Sequence, residues 1–250
     1  MIREALEWSL TPCPGWVRGT GLLYASVGLG ARARRCAGAW APHLARVRDR
    51  IRAAAPGGGT AVVLGSGWLH DVPLDHLVER YRRVVLVDAV HPWPVRLKAR
   101  VHPQVVLATA DLSGVLAALW DGRGGPLELP EPVAPDWGRW LDGPADLVVS
   151  DLVLSQVALG PEDYARRRGA TVGLEAWAER IQRHHLESLP PARRTLLLTD
   201  TEVNSSEGRV PLIPDLGLPS PSSRWTWTVA PAGEEDSEAL EHTVVAIDLG

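Results

Sequence analysis

The stretch TAVVLGSGWLHD, residues 60–71, decides which fold the rest of the sequence predicts. Its first half is a short apolar run, which is typical of a strand buried on both faces of a parallel sheet. The run ends at Gly65-Ser66-Gly67, where glycine permits the tight backbone angles of a turn and the close approach of a ligand. This stretch therefore predicts a first strand that enters a glycine turn and is followed by a helix.

Similar apolar runs recur along the chain after this stretch. They lie at 84–88, 105–108, 146–151, 195–200, 225–229 and 243–247. Helical spacing of apolar residues separates the earlier runs, first at Leu74, Leu77, Val78 and Tyr81 and later over 172–188. Because strands that alternate with helices form parallel sheets covered on both faces, we expect a doubly wound, Rossmann-like α/β fold with a mostly parallel, seven-stranded sheet.

Residues 1–55 predict a helical extension in front of this sheet. One helix face is marked by Trp40, Leu44, Val47 and Ile51. Pro56 and the glycines after it end that helix. The segment 12–30 is richer in Gly and Pro, so it predicts a loop or a broken helix that covers a pocket. We therefore divide the chain into the extension 1–55 and a Rossmann-like domain 60–250.

The charge distribution bounds the choice of partners. The chain has 250 residues, of which 22% are charged, and a net charge of -4, which argues against nucleic acid held by bulk electrostatics. Residues 1–55 nevertheless carry nine arginines against three acidic residues. This basic region is either a solvated helix face or a contact for an anionic substrate, with Arg18, Arg34 and Arg35 as the candidate residues.

Metal sites, disulfides and membrane spans lack support in the sequence. Cys13 and Cys36 stand without a second Cys or His at metal-ligand spacing, and the adjacent His184 and His185 point about 100° apart on a helix. No signal-peptide pattern and no run of 18 apolar residues occurs. We therefore expect a cytoplasmic protein with no metal centre and no membrane anchor.

Acidic residues follow the second and third predicted strands, next to the glycine turn. Asp88 comes 23 residues after Gly65, and a carboxylate there can accept hydrogen bonds from the hydroxyl groups of a ribose. Asp111 follows the third strand, where the amino group of adenine would need an acceptor. Aspartate is also common in turns after strands, which is the structural alternative. The combination predicts an adenine-nucleoside pocket at the carboxyl ends of these strands.

With these motifs the chain resembles the class I S-adenosylmethionine-dependent methyltransferases. The resemblance covers about residues 60–250 and rests on VVLGSGWLHD, VVLVDAVHP, VVLATADLS and DLVVSDLVLSQV at the first four strands. Helix 172–188 followed by RTLLLTD is similar to the family's last helix and fifth strand, and the two final runs are similar to its terminal antiparallel pair. The resemblance implies S-adenosylmethionine as the cofactor and methyl transfer to a small-molecule acceptor.

The resemblance also implies which residues surround the cofactor. They are Gly65, Ser66, Gly67, Asp88, Ala89, Asp111, Leu112 and Ser150. The glycine turn would pass the methionine part, Asp88 would hold the ribose, and Asp111 would border adenine. Asp151, at the end of the fourth strand, is the candidate general base, with helix capping as its structural alternative. Asp71 is expected to cap the helix that follows the glycine turn.

Two departures from the family pattern keep other functions open. Val63 stands where the family has an acidic residue, and Leu69 stands where it has a third glycine. A non-catalytic protein that binds a nucleoside or a partner is therefore one alternative, and an RNA methyltransferase that uses the basic region is another. A dinucleotide fingerprint would need a glycine at His70. The polar segment 204–224 is either a lid, a binding loop or disordered.

Overall fold

The computed structural model describes residues 2–205, 208–234 and 238–250. Its strands are β1 (Gly58–Leu64), β2 (Tyr81–Asp88), β3 (Val105–Thr109), β4 (Leu147–Asp151), β5 (Thr195–Ser205), β6 (Gly208–Pro211), β7 (Ser223–Ala230) and β8 (Leu240–Asp248). Its helices are α1 (Ile2–Leu10), α2 (Gly15–Gly19), α3 (Leu22–Arg35), α4 (Ala37–Ala54), α5 (Leu74–Arg80), α6 (Trp93–Arg100), α7 (Leu116–Asp121), α8 (Leu159–Arg167) and α9 (Leu174–Glu187).

Seven strands follow one another in the sheet in the order β3-β2-β1-β4-β5-β8-β7, and β6 pairs with β5 as an eighth strand. Strands β1 to β5 pair in parallel, whereas β8 runs antiparallel to both β5 and β7. The order reverses between β1 and β4, so the carboxyl ends of these two strands border the crevice in which such sheets bind ligands. The predicted doubly wound, mostly parallel sheet with a terminal antiparallel pair is confirmed.

Both faces of the sheet are buried, as the continuous apolar runs predict. In β4, Leu147 and Val149 face a core shared with α4, α5 and β7. Val148 faces a second core under α7 and α9. Side chains alternate between faces along a strand, so each central strand needs apolar residues at nearly every position.

The N-terminal region is more helical than the sequence suggests. Helices α2 and α3 together cover most of the segment 12–30. At Gly30 in α3, the ring of Trp68 occupies the space that a Cβ would need, 2.5 Å away. The predicted apolar face of α4 packs on the sheet beside β7, where the Nε1–H of Trp40 donates a hydrogen bond to the carbonyl of Val229 at 2.9 Å. Within the described residues, no helix combines the length and apolar character required to span a bilayer.

Three local features differ from the sequence-based expectation. Tyr81, predicted on a helix, begins β2 and pairs with Gly58. Helix α8 was not predicted, since Gly160 and Pro161 favour a loop; Pro161 lies in the first turn, where no N–H is needed. In the polar segment 204–224, β6 forms a hairpin with β5, while residues 206–207 lie outside the described part.

The glycine turn after β1 should be intolerant of any side chain at Gly65. Its φ is +79°, and a Cβ would meet the side chain of Val153 and lie 2.6 Å from the carbonyl oxygen of Asp151. We expect Gly65→Ala to lower the free energy of unfolding by about 2 kcal/mol or more. At Gly28 in α3, a Cβ would have no other atom within 4 Å. Gly28→Ala should therefore raise the free energy of unfolding by about 0.5–1 kcal/mol. Urea denaturation of both variants measures this difference, and equal stabilities would contradict it.

Candidate functional site

A cavity of about 650 Å³ opens at the carboxyl ends of the strands. Its wall combines the glycine turn after β1, the ends of β2 and β3, the loop after β4, one face of α3, and parts of α4 and β7. The predicted site residues Gly65, Ser66, Gly67, Asp88, Ala89, Asp111, Leu112 and Asp151 all contribute to this wall. Within the described part of the segment 204–224, no residue does so.

Backbone hydrogen bonds fix the glycine turn against β2. The N–H groups of Gly65 and Ser66 both donate to the carbonyl of Val87, at 2.9 and 3.3 Å. Leu69, at the position of the family's third glycine, has a φ of +57°. Leu69 thus adopts the left-handed conformation that glycine usually supplies, at a cost of about 1–2 kcal/mol, and its buried side chain packs in the core.

Asp88 connects the glycine turn to the end of β2. One carboxylate oxygen accepts a hydrogen bond from the N–H of Gly67 at 2.9 Å, and the other accepts from Val90 at 3.0 Å. Burial raises the pKa of Asp88, while the nearby His91 and these backbone N–H groups lower it. A carboxylate has about four lone-pair sites, so these backbone contacts do not exhaust its capacity to accept hydrogen bonds from hydroxyl groups of a ligand.

The carboxylate of Asp111 is largely occupied by its own loop. It accepts hydrogen bonds from the backbone N–H of Ser113 at 3.1 Å, from the Ser113 hydroxyl at 2.5 Å and from the N–H of Ala117 at 2.9 Å. Asp111 therefore shapes the loop between β3 and α7. Leu112 presents an apolar surface to the cavity from the same loop.

Ser150 is not in the cavity wall. Its side chain is fully buried, and its hydroxyl lies 2.9 Å from Nε2 of His185 in α9. His185 in turn interacts with the backbone of Leu112. Ser150 and Asp151 are successive strand residues and so face opposite sides of the sheet. Ser150 thus supports the Leu112 loop from behind, a connection that the sequence does not predict.

Asp151 and Asp71 form a pair of carboxyl groups in the cavity wall. Asp151 is 3% exposed, and neither of its oxygens accepts a hydrogen bond from any other described residue. Burial raises the pKa of Asp151 well above its usual range, and the carboxyl group of Asp71 raises it further. The expected capping role of Asp71 was wrong, because α5 begins after Pro73 and has no side-chain cap.

The N-terminal helices hold the loop that carries Asp71. A guanidinium N–H of Arg48 in α4 donates a hydrogen bond to the carbonyl of His70. The Nε1–H of Trp68 donates to the carbonyl of Ser26 in α3 at 2.8 Å, and its ring lies parallel to the ring of His70. Neither contact has a signal in the sequence, since each joins distant residues without a recurring pattern.

The opposite end of the cavity has an aromatic wall formed by Trp40, His43 and Trp227. The rings of His43 and Trp227 stack with centroids 4.2 Å apart, and Trp40 meets Trp227 edge to face at 5.2 Å. The Nε1–H of Trp225 donates to Nδ1 of His43 at 3.1 Å. Burial lowers the pKa of His43 to about 3, so the imidazole is neutral at pH 7. The sequence signal was the alternation of Trp225 and Trp227 on one strand.

The three candidate arginines have different surroundings. Arg34 pairs with Glu4 at 2.8 Å and with Glu7 at 3.0 Å, so it joins α3 to α1. Arg18 lies over the ring of Trp8. Only Arg35 among them lines the cavity. Across the described residues, no group of three His, Cys, Asp or Glu side chains is arranged to hold a metal ion.

Comparisons with known proteins give structural similarities alone. No protein-family model matches the chain, and no curated protein matches its sequence. Similar solved structures include a precorrin 8w decarboxylase of Methanobacterium thermoautotrophicum, with 17% identity, 82% of this chain and 89% of that chain covered, and a TM-score of 0.38. A DhpI-SAM-HEP complex is 16% identical in sequence, and the match covers 94% of this chain and 99% of that one with a TM-score of 0.40. A SAM-dependent methyltransferase of Leishmania major is 13% identical in sequence, and the match covers 82% of this chain and 71% of that one with a TM-score of 0.40.

The identities and TM-scores of these similarities are too low to assign an activity. The chemistry of this chain therefore rests on its own residues, above all on those around the cavity.

The Asp71–Asp151 pair should reduce stability at neutral pH. A carboxyl group whose folded pKa is raised binds more protons in the folded than in the unfolded state, so stability falls as the pH rises through the folded pKa. We expect Asp151→Asn to raise the free energy of unfolding by about 0.5–2 kcal/mol at pH 8 and to lose this advantage near pH 4. Denaturant titrations at pH 8 and pH 4 measure the free energy of unfolding of both proteins. Asp142→Asn, at an exposed aspartate, is the control. A variant that is less stable than the parent at pH 8 would exclude this interpretation.

Proposed function

We propose that this chain is a methyltransferase that uses S-adenosylmethionine and acts on a small-molecule acceptor. The observation that carries the proposal is the convergence of three strand ends on one cavity. The Gly65–Gly67 turn, Asp88 and the Asp111–Leu112 loop follow β1, β2 and β3, which are neighbours in the sheet. Open parallel sheets bind nucleotide-containing ligands at such a point.

The residues present fit the parts of this cofactor. Gly65 and Gly67 leave the turn without side chains, so a ligand can lie against the backbone. The remaining lone-pair capacity of Asp88 would accept hydrogen bonds from the ribose hydroxyl groups. Ala89 and Leu112 provide apolar surface for the faces of adenine. The backbone of the Asp111 loop, rather than its occupied carboxylate, would then border the edge of the base.

The electrostatics of the cavity favour this cofactor over a dinucleotide. A pyrophosphate is usually bound by the N–H groups at the start of a helix directly after the glycine turn. Here α5 begins only at Leu74, and the Asp71–Asp151 pair lies beside the turn. Carboxyl groups repel a pyrophosphate but attract the ammonium and sulfonium groups of S-adenosylmethionine.

The departures at Val63 and Leu69 are compatible with a retained cofactor site. Leu69 adopts a left-handed backbone conformation without a glycine. Asp151, which is buried, and Asp71, which is half-buried, supply carboxyl groups in the absence of one at Val63. An RNA substrate has less support, because Arg34 is committed to ion pairs within the N-terminal helices.

When bound, S-adenosylmethionine supplies an electrophilic methyl group. Asp151, whose pKa is raised by burial and by Asp71, would accept the proton of the acceptor at a carboxylate oxygen when it is ionised. Asp71 would act on Asp151 through its charge and its proximity. The walls from α3 and α4 would exclude water and orient the acceptor, which is the main contribution that a methyl transfer needs from the protein.

Binding of the cofactor tests this proposal directly. Calorimetric titration with S-adenosylmethionine and S-adenosylhomocysteine should show saturable binding of both to the parent protein. Asp88→Asn removes the charge that would bind the ribose and should weaken both affinities by about 5- to 100-fold, or roughly 1–3 kcal/mol. Asp75→Asn, on the exposed start of α5, is the matched control and should bind as the parent does. Absence of binding to the parent protein would reject the proposed function.

A further inference from the structure

A second recess lies at the amino ends of the parallel strands, at the opposite edge of the sheet from the cavity. Its wall consists of Gly58, Gly59, Thr60, Arg80, Arg82, Pro144, Asp146 and Arg193. No described residue belongs to both this wall and the wall of the cavity. Strand β1 runs from the recess to the glycine turn, and its seven residues span on the order of 20 Å. The recess is therefore separate from the proposed cofactor site.

The floor of the recess is bare backbone. Gly58 has a φ of +145°, and a Cβ there would lie 2.9 Å from Cγ of Asp146. At Gly59, a Cβ would lie 3.1 Å from a carboxylate oxygen of Asp146 and 3.2 Å from a guanidinium nitrogen of Arg82. The glycines after Pro56, which the sequence explains only as the end of a helix, thus keep the space between these charged groups open.

The acidic residue of the described wall, Asp146, is held in place by the backbone of β1. One of its oxygens accepts hydrogen bonds from the N–H of Gly59 at 2.7 Å and from the N–H of Thr60 at 2.9 Å. The other oxygen lies 3.5 Å from a guanidinium nitrogen of Arg193. These backbone N–H groups, together with the charges of Arg193 and Arg82, lower the pKa of Asp146, so it is ionised at pH 7. Asp146 therefore contributes one fixed negative charge.

Three arginines against this one carboxylate leave two positive charges in excess. Arg80 and Arg82 are exposed, and neither has a carboxylate oxygen within 4 Å among the described residues. Arg193 is 83% exposed beside Asp146. The guanidinium groups are therefore open to a ligand in solution. Because like charges that share a recess repel one another, an anion between them removes an unfavourable interaction.

The neighbouring arginines of this edge are placed differently. Arg83 lies 3.9 Å from a carboxylate oxygen of Asp142, and Arg194 lies 3.4 Å from one of Asp248. Neither of them lines the recess. The arginines that lack a nearby carboxylate are thus two of those that face the recess.

We propose that this recess binds the phosphate group of a small phosphorylated molecule through Arg80, Arg82 and Arg193. The planar guanidinium group presents paired N–H donors that match the oxygens of a phosphate. A phosphate monoester carries about two negative charges at pH 7, which balances the excess charge of the recess. The open glycine floor leaves room for the anion beside Asp146. This inference does not depend on the proposed methyl transfer.

Binding of inorganic pyrophosphate tests the site, since it supplies phosphate oxygens without a base or a lipid. Calorimetry at low ionic strength should show saturable binding to the parent protein, and sodium chloride should weaken it by screening the exposed charges. In a nitrogen–proton NMR spectrum, pyrophosphate should shift the backbone signals of Gly58 and Gly59. The signal of Gly67, at the other end of β1, should not move.

Two variants each remove one guanidinium group from the recess. Arg80→Gln and Arg82→Gln should each weaken pyrophosphate binding by about tenfold or more, which is the scale of a hydrogen bond to a charged group. Arg224→Gln is the matched control, because Arg224 is an exposed arginine on a strand and does not line the recess. It should bind as the parent does. Substitutions at exposed arginines change stability little, so all three variants should fold.

The outcomes separate this inference from the proposed function. Absence of pyrophosphate binding to the parent protein, or equal binding to Arg82→Gln and the parent, would overturn it. Shifts at Gly67 in place of Gly58 and Gly59 would overturn it as well, because the anion would then occupy the cavity. Binding of single-stranded RNA without binding of pyrophosphate would replace it with a nucleic-acid surface. The affinity for S-adenosylhomocysteine should be the same with and without pyrophosphate, so either proposal can fail while the other stands.

Discussion

The close approach of Gly65 to the backbone of Asp151 is the contact on which the cavity depends. It brings the turn after β1 against the loop after β4, at the point where the strand order reverses. A side chain at Gly65 would separate the two loops, because the carbonyl oxygen of Asp151 occupies the space of a Cβ. The same approach holds Asp151 beside the glycine turn. The proposed cofactor contacts and the proposed general base therefore share one wall of the cavity.

The N-terminal helices complete a site that the sheet alone leaves open. Arg48 and the contact between Trp68 and Ser26 hold the loop after the glycine turn, and α4 contributes Trp40 and His43 to the far wall. Residues of α3 and α4 are thus part of the candidate site as well as a cover over the sheet. Their arginines serve different purposes: Arg34 joins two helices, whereas Arg35 borders the cavity.

Polarity changes along the cavity in a way that has an energetic cost. The buried carboxyl group of Asp151 lies beside that of the half-buried Asp71, and at the aromatic end Nε2 of His43 and Nε1 of Trp227 have no hydrogen-bond partner among the described residues. Each is unfavourable for folding, since buried charges and unpaired donors lose their hydration without full compensation. Such groups persist where the rest of the structure holds them in place. The apolar cores on both faces of the sheet provide that support.

The sequence by itself determined the sheet, the glycine turn and the positions of Asp88 and Asp111, because apolar runs, turn glycines and strand-end carboxylates are local patterns with local physical causes. It also located Asp151, although not its electrostatic environment. Only the tertiary structure decided that Asp71 pairs with Asp151, that Ser150 faces away from the cavity, and that His43 stacks on Trp227. His43 and its hydrogen-bond partner Trp225 are 182 residues apart, and no periodicity or spacing rule connects residues at that distance. Their contact is set by how α4 packs on the sheet, which depends on all the strands between them.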